Sequence, residues 1–328
     1  MKLNHIYKSI ACGVLLAMTA TSCDLDYNPV DTYSDVTEGV NKTDEKPIFN
    51  SVQDVETSMV TLHKKFRDQQ EHWYVDKLLI GDAHSDNAYA GTTGAEVVPY
   101  ETNSIEGSNS VLKRDWDRFL GDIAVANRII VGCDQLKALS ESERGKYQSQ
   151  AKIFRAMVMF DMVRLWGNFP VITTVGGDIT EDNVEEMYPT YFPPQNTAEE
   201  AYAQIEKDLT EAVENPNTPT NDTSDKSILT KSVARAMLAK VYAEKPLRDY
   251  AKVIKYADEL AADGFDLVED FSDLWAYDTE KKDCRVRNTK EAILEAHFPP
   301  GSGNWCTWMF GRNLSNWDES FTWAKWIT

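Results

Sequence analysis

Two short stretches of this chain put flat rings and hydrogen-bonding side chains close together. Residues 82–105 contain Asp82, His84, Asp86, Asn87, Tyr89 and Tyr100, and residues 301–317 contain Asn304, Trp305, Trp308, Arg312, Asn313 and Trp317. Aromatic faces stack on the apolar faces of pyranose rings, and amides, carboxylates and guanidinium groups at the rim bond the hydroxyls. The combination fits saccharide capture. We take Asp86, Asn87, Tyr89, Tyr100, Trp305, Trp308 and Arg312 as the candidate ligand-binding residues. Each ring also has a plainer reading, because an aromatic in a helical protein is usually core.

Catalysis finds little support. The chain has no HExxH, GxSxG, GxGxxG or P-loop motif. His84, Ser85 and Asp86 are triad residue types, but adjacency in a loop does not make triad geometry. Asp and Glu number 53, so carboxylate pairs at glycosidase spacing must occur by chance and none is singled out. Asn221, Asp222 and Asp225 lack EF-hand spacing and read as a solvated turn. No catalytic residue, metal or cofactor is expected.

The sharpest single chemistry is at Cys23. Lys2 and Lys8 precede an apolar run from Ile10 to Met18, too short for a permanent membrane helix. Ala20, Thr21 and Ser22 then lead into Cys23, a pattern that resembles the lipobox of bacterial lipoproteins, although Leu is commoner where Ala20 stands. Residues 1–22 read as a signal peptide, and the Cys23 sulfur as the point of lipidation. Each buried CH₂ of an acyl chain contributes about 0.8 kcal/mol, so several chains hold a protein firmly.

The chain carries a formal net charge of −19, and loss of a leader with two lysines and no acids leaves about −21. Such a charge repels nucleic acid and anionic bilayers. After Cys12 and Cys23, the cysteines Cys133, Cys284 and Cys306 remain, without a CxxC spacing. They read as buried thiols, with one disulfide possible.

The elements that must position these residues are mostly helices. Residues 23–50 are polar and acidic and read as a tether. A helix is expected over Asp54–Glu71, then a long loop over 78–110 rich in Gly, Asn, Ser and Thr. Apolar spacing predicts a helix over 111–139 with Trp116, Phe119, Ile123, Ala126 and Ile130 on one side. Ser140 and Glu143 have capping-box spacing before a helix that Gly167 and Pro170 stop. Trp116, Phe154, Phe160 and Trp166 read as core; Arg155 and Arg164 read as partners of carboxylates, Asp161 or one on a neighbouring helix. Residues 171–196 read as irregular, 198–213 as a helix capped by Asn196 or Thr197, and 229–243 with 247–262 as a helix pair. In that pair Ala234, Ala236, Ala239, Ala243, Ala251 and Ala257 suit close helix stacking, which resembles tetratricopeptide pairs. Glu291–Phe298 alternates weakly, like a short strand.

Taken in order, CDLDYNP, LIGDAHSDNAYAG, WDRFLGDIAVANRII, QAKIFRAMVMFDMVRLWGNFPVI, NTAEEAYAQIEKDLTEAVENP, LTKSVARAMLAKVYAE, YAKVIKYADELAADGFDLVEDFSDLW and NTKEAILEAHF resemble the SusD/RagB family of Bacteroidetes surface lipoproteins. The resemblance implies a mainly α fold of tetratricopeptide-like helix pairs with long irregular loops and few short strands, occupying residues 51–328. It implies an outer-membrane, cell-surface lipoprotein that captures oligosaccharides and delivers them to a SusC-like TonB-dependent barrel. Its binding aromatics would lie in loops near the two stretches above. Peptide cargo, or a lipid-anchored glycoside hydrolase, are the alternative readings. The family pattern continues beyond Thr322–Thr328, so the domain is expected to be incomplete at its C-terminus, with five tryptophans in the last 24 residues left to pack.

Overall fold

The computed structural model describes residues 47–85, 96–177, 179, 181, 183–280 and 283–298. The long helices within them are α1 (Val52–Asp68), α2 (Ser110–Gln135), α3 (Glu141–Trp166), α4 (Ala198–Glu214), α5 (Lys231–Ala243) and α6 (Tyr250–Ala262). Their starts are fixed by side-chain caps. Ser51, Ser140 and Thr197 each accept from the third helical residue, and Asp54, Glu143 and Glu200 return a bond to the cap backbone. Each such cap stabilises its helix by about 1 kcal/mol. Asn109 caps α2, Thr230 caps α5 and Asp249 caps α6. At the far end of α3, Gly167 turns the chain with φ of 74°, a left-handed region where a side chain would strain.

Successive helices pack on one another, α2 on α3, α3 on α4, α4 on α5 and α5 on α6, with α1 against α2 and α3. This is the layered helix-pair order expected of a tetratricopeptide-like array. Helix α3 is its axis: every residue from Ser149 to Val163 except Lys152 is buried. A helix apolar nearly all round belongs in the middle of such a stack. Phe154 and Phe160 are buried, and Trp116 and Trp166 meet edge to face at 5.3 Å against the same core. Cys133 is a free, buried thiol, and burial pushes its pKa up to about 12, so it is inert.

Three expectations are corrected. The stretch 78–110 is not one open loop. Two π-helical runs, Glu71–Val75 and Leu79–Ala83, flank a helical turn, and Val98–Glu101 forms another. Glu291–Phe298 is not a strand: neighbouring Ile293 and Leu294 both pack on the core, which no alternating strand allows. The strands that do form are Tyr277–Asp278 and Asp283–Cys284, paired antiparallel. In the α5–α6 pair, Ala234 is buried as expected, but Ala243, Ala251 and Ala257 are exposed. Among the described residues the only helical element after α6 is a short 3-10 turn, Phe271–Trp275.

Candidate ligand-binding site

Residues 86–95 lie outside the described residues, and with them Asp86, Asn87 and Tyr89. So do Trp305, Trp308, Arg312 and Cys23. What is described is the ground from which the 82–105 segment rises. The wide turn of the first π-helical run, a feature frequent at functional sites, holds His72 and Trp73 buried, and Asp76, at the start of the α-helical turn that follows, is buried as well. Trp73 Nε1 donates to Asp122 Oδ2 at 3.1 Å, and His72 Nε2 lies 2.9 Å from the same oxygen. Lys65 Nζ stands 3.6 Å from the other carboxylate oxygen. Above them His84 Nε2 meets Asn103 Oδ1 at 2.6 Å, and Asn109 Nδ2 donates to the Glu96 carbonyl at 2.8 Å. The first contact ties the two ends of the segment to each other, and the second ties Glu96 to the cap of α2.

Tyr100 is not placed to stack on a ligand. It is 1% exposed and packs with Val75, Ala83, Val97 and Val111 in a small second core. Beside it Arg114 pairs with Asp76, while Arg114 Nε stands 3.5 Å from Asp115 Oδ1, beyond good hydrogen-bond range. The Tyr100 hydroxyl is buried without a hydrogen-bond partner, and neither Asp115 oxygen has one in good geometry, although Asp76 and Arg114 lie beside it. Burial, and then the neighbouring Asp76 carboxylate, push the Asp115 carboxyl far above the usual range. Burial also raises the Tyr100 phenol.

The described structure brings a different set of rings to the surface. The excursion from Pro170 to Gln195 is closed at its base by an antiparallel bridge, Asn196 N donating to the Phe169 carbonyl at 2.9 Å. Asn127 Nδ2 donates inward to the carbonyls of Ile172 and Thr174, at 2.9 and 3.2 Å. Tyr191 folds back, its hydroxyl donating to the Gly177 carbonyl at 2.6 Å and its ring lying so close to Gly176 that an added Cβ would come within 3.3 Å. That leaves Tyr188 and Phe192 outermost, 56% and 68% exposed, with ring centroids 5.0 Å apart and planes at 47°. Glu185, Glu186 and Thr190, close by in the chain, are exposed too. A second exposed pair, Phe271 and Trp275, has centroids 6.2 Å apart. Sequence reasoning passed over both pairs. The run Tyr188-Pro-Thr-Tyr-Phe-Pro-Pro194 offered a signal, since rings among prolines have no periodicity that could bury them.

The other chemical candidates resolve simply. Arg155 pairs with Asp208 on α4, Arg164 with Glu244 at 3.1 Å, and Asp161 with Lys77. Asp222 and Asp225 bond the backbone of Ser224 and Ser227 two residues on, as turn residues do. Among the described residues no group of three or more His, Cys, Asp or Glu could hold a metal ion, and no helix is long and apolar enough to cross a membrane.

Comparison with known proteins adds a history to this geometry. Residues 32–243 match the model of a family, SusD-like_3, described as starch-binding and associating with the outer membrane. A SusD-like protein of Bacteroides ovatus is 25% identical over 309 residues, which cover 90% of this chain and 50% of that protein. The chain thus spans about half the length of the curated relative it matches. Among solved structures, a SusD-like protein from Bacteroides fragilis superposes with a TM-score of 0.60 at 21% identity, covering 79% of this chain and 47% of its own. Surface glycan-binding protein A from Bacteroides thetaiotaomicron, solved with laminarihexaose, gives a TM-score of 0.56 at 17% identity, over 69% and 46% of the two chains. At such identities the likeness is one of fold.

Proposed function

The chain belongs to the SusD-like family, and from that membership we propose that it is a cell-surface binding protein for glycans, which it hands to a SusC-like TonB-dependent barrel in the outer membrane. It acts by capture and carries out no bond-breaking step. Lipid on Cys23 holds it to the membrane, and residues 24–46 serve as the leash, shorter than the 23–50 tether read from the sequence because Phe49 is already buried in the core. The observation that carries the reading is the family match through α1 to α5. The outward rings of Tyr188 and Phe192 support it with a surface suited to sugar faces. The acidic chain, at −19, turns away nucleic acid but not neutral polysaccharide.

Affinity electrophoresis of monomeric mature protein through gels containing starch, laminarin or xyloglucan tests the central claim. Retardation by at least one polymer, with no new reducing ends released, is expected. Free migration through a wide panel would overturn it, and release of reducing ends would turn the reading to a glycoside hydrolase. Co-isolation of a TonB-dependent barrel with the membrane-extracted protein, and loss of palmitate labelling in Cys23→Ala, are expected for the partner and the anchor.

A further inference from the structure

A cleft remote from the surface rings lies where α1 and α3 meet the segment 219–228. It has a volume of about 600 Å³ and is open to solvent, within the ordinary range for small-molecule sites. Its floor is apolar, made by Met59, Pro219 and Ile228. One ring, Tyr147, forms part of a wall, and its hydroxyl is engaged with Glu56. The rest of the lining is polar, and Gln150, His63, Asp222 and Asn221 are held in place. Gln150 is buried; its Nε2 donates to the Lys146 carbonyl at 3.2 Å and its amide also bonds the His63 ring. Burial lowers the pKa of that imidazole, so it stands neutral with one donor and one acceptor. Opposite, Asp222 takes the Ser224 hydroxyl at 2.6 Å, which keeps it an ionised acceptor. Asn221 is fixed between the Lys226 ammonium and the Asp263 carbonyl.

We propose that this cleft is a second binding site, one that takes a short neutral saccharide. The lining carries one ammonium, Lys146, and one carboxylate, Asp222. The charges balance, so nothing there would hold a phosphate or a uronate against the acidity of the whole chain. The lining is too polar for a lipid, and no strand edge is present to pair with a peptide backbone. A ring wall, an apolar floor and closely spaced donors and acceptors are what a sugar's apolar faces and hydroxyls require. The ligand class rests on the glycan reading above, but the site does not. Two sites on one chain raise the hold on a polysaccharide by effective concentration.

The test uses the mature chain with ¹³C-labelled Met and Ile methyl groups, titrated with maltose, cellobiose and laminaribiose into the millimolar range. Saturable shifts of the Met59 and Ile228 methyls are expected for at least one disaccharide. Tyr147→Ala and Asp222→Asn should each weaken that binding by an order of magnitude. Thr223→Trp, which plugs the mouth from an exposed turn, should abolish it without lowering the melting temperature; it carries the test if Tyr147→Ala fails to fold. Silence of both methyls with all three sugars, or equal shifts in Thr223→Trp, overturns the proposal. Failure of the glycan reading is read separately: polymer retention that is lost in Tyr188→Ala/Phe192→Ala while the methyls stay silent sinks the cleft alone, whereas methyl shifts without any polymer retention keep the cleft and sink the surface reading.

Discussion

Two arginine–aspartate groups with buried carboxylates use the same ingredients in this chain and reach opposite states; Arg155 is buried with its partner, whereas Arg114 is about a third exposed. In the first, Arg155 on α3 holds Asp208 on α4 with two bonds, Nε and Nη2, at 2.8 and 2.7 Å. Its remaining Nη1 donates to Asn127 at 2.7 Å, and Gln204 completes Asp208 at 2.9 Å. Asn127 in turn holds the carbonyls of Ile172 and Thr174, so the network ends at the base of the excursion that presents Tyr188 and Phe192. In the second, Arg114 serves Asp76 and barely reaches Asp115, and Tyr100 finds nothing to bond. A satisfied network rigidifies; a half-satisfied one costs free energy that a well-packed apolar core would not. The first group therefore fixes a frame. The second sits under the 82–105 segment with unused bonding capacity.

Breaking the satisfied group should have the largest effect. Arg155→Met leaves Asp208 buried without its cation, and urea unfolding should read a loss of about 3–5 kcal/mol. The double variant Arg155→Met/Asp208→Leu removes both charges and should recover most of it. A double variant as unstable as the single would mean that the pair, rather than the stranded charge, is the stabilising element.

The unsatisfied group should respond in the opposite direction. Asp115 has a folded-state pKa raised above its unfolded value of about 3.9. A raised group contributes stability that is complete below about pH 4 and is lost as pH climbs through the folded value. Asp115→Asn has no such proton to lose. Its stability should thus gain on the parent from pH 5 to about pH 8 and level off above that, reaching about 1–3 kcal/mol, the cost of an unsatisfied buried polar group. Parallel pH profiles for the two proteins would refute an under-satisfied Asp115. Tyr100→Phe sharpens the point at smaller scale. It deletes an orphan hydroxyl and should be neutral or stabilising by up to about 1 kcal/mol, with glycan retention unchanged because the ring is buried.

The contrast also marks what could be read from sequence. The satisfied half was legible. Arg155 lies in a helix whose start is signalled by Ser140 and Glu143, and a charged residue within an apolar run needs a carboxylate on a neighbour. Local signals of this kind fixed most helix starts to within two residues. The other half was not legible, for physical reasons. π-helical turns over 71–83 break the 3.6-residue period that reveals a helix. Tyr100 has the residue type of a ligand contact, and only tertiary packing puts it in a core. The cleft joins Met59, Tyr147 and Asp222, which are far apart in the chain and share no motif.

The smallest stability effect belongs to the rings that matter most for capture, and this separates frame from site. Tyr188 and Phe192 are more than half exposed and make little of the core. Tyr188→Ala and Phe192→Ala should each stay within about 0.5 kcal/mol of the parent in urea unfolding. If these rings stack on sugar, both variants should still lose most of their retardation in the polysaccharide gel that retains the parent. Arg155→Met should lose retardation too, but only through loosening of the Ile172–Thr174 anchor, so low urea should mimic its defect in the parent and not that of Phe192→Ala. Retention undiminished in the Tyr188→Ala/Phe192→Ala double variant would move capture off this excursion, leaving Phe271 with Trp275 as the exposed ring pair to test in the same gel.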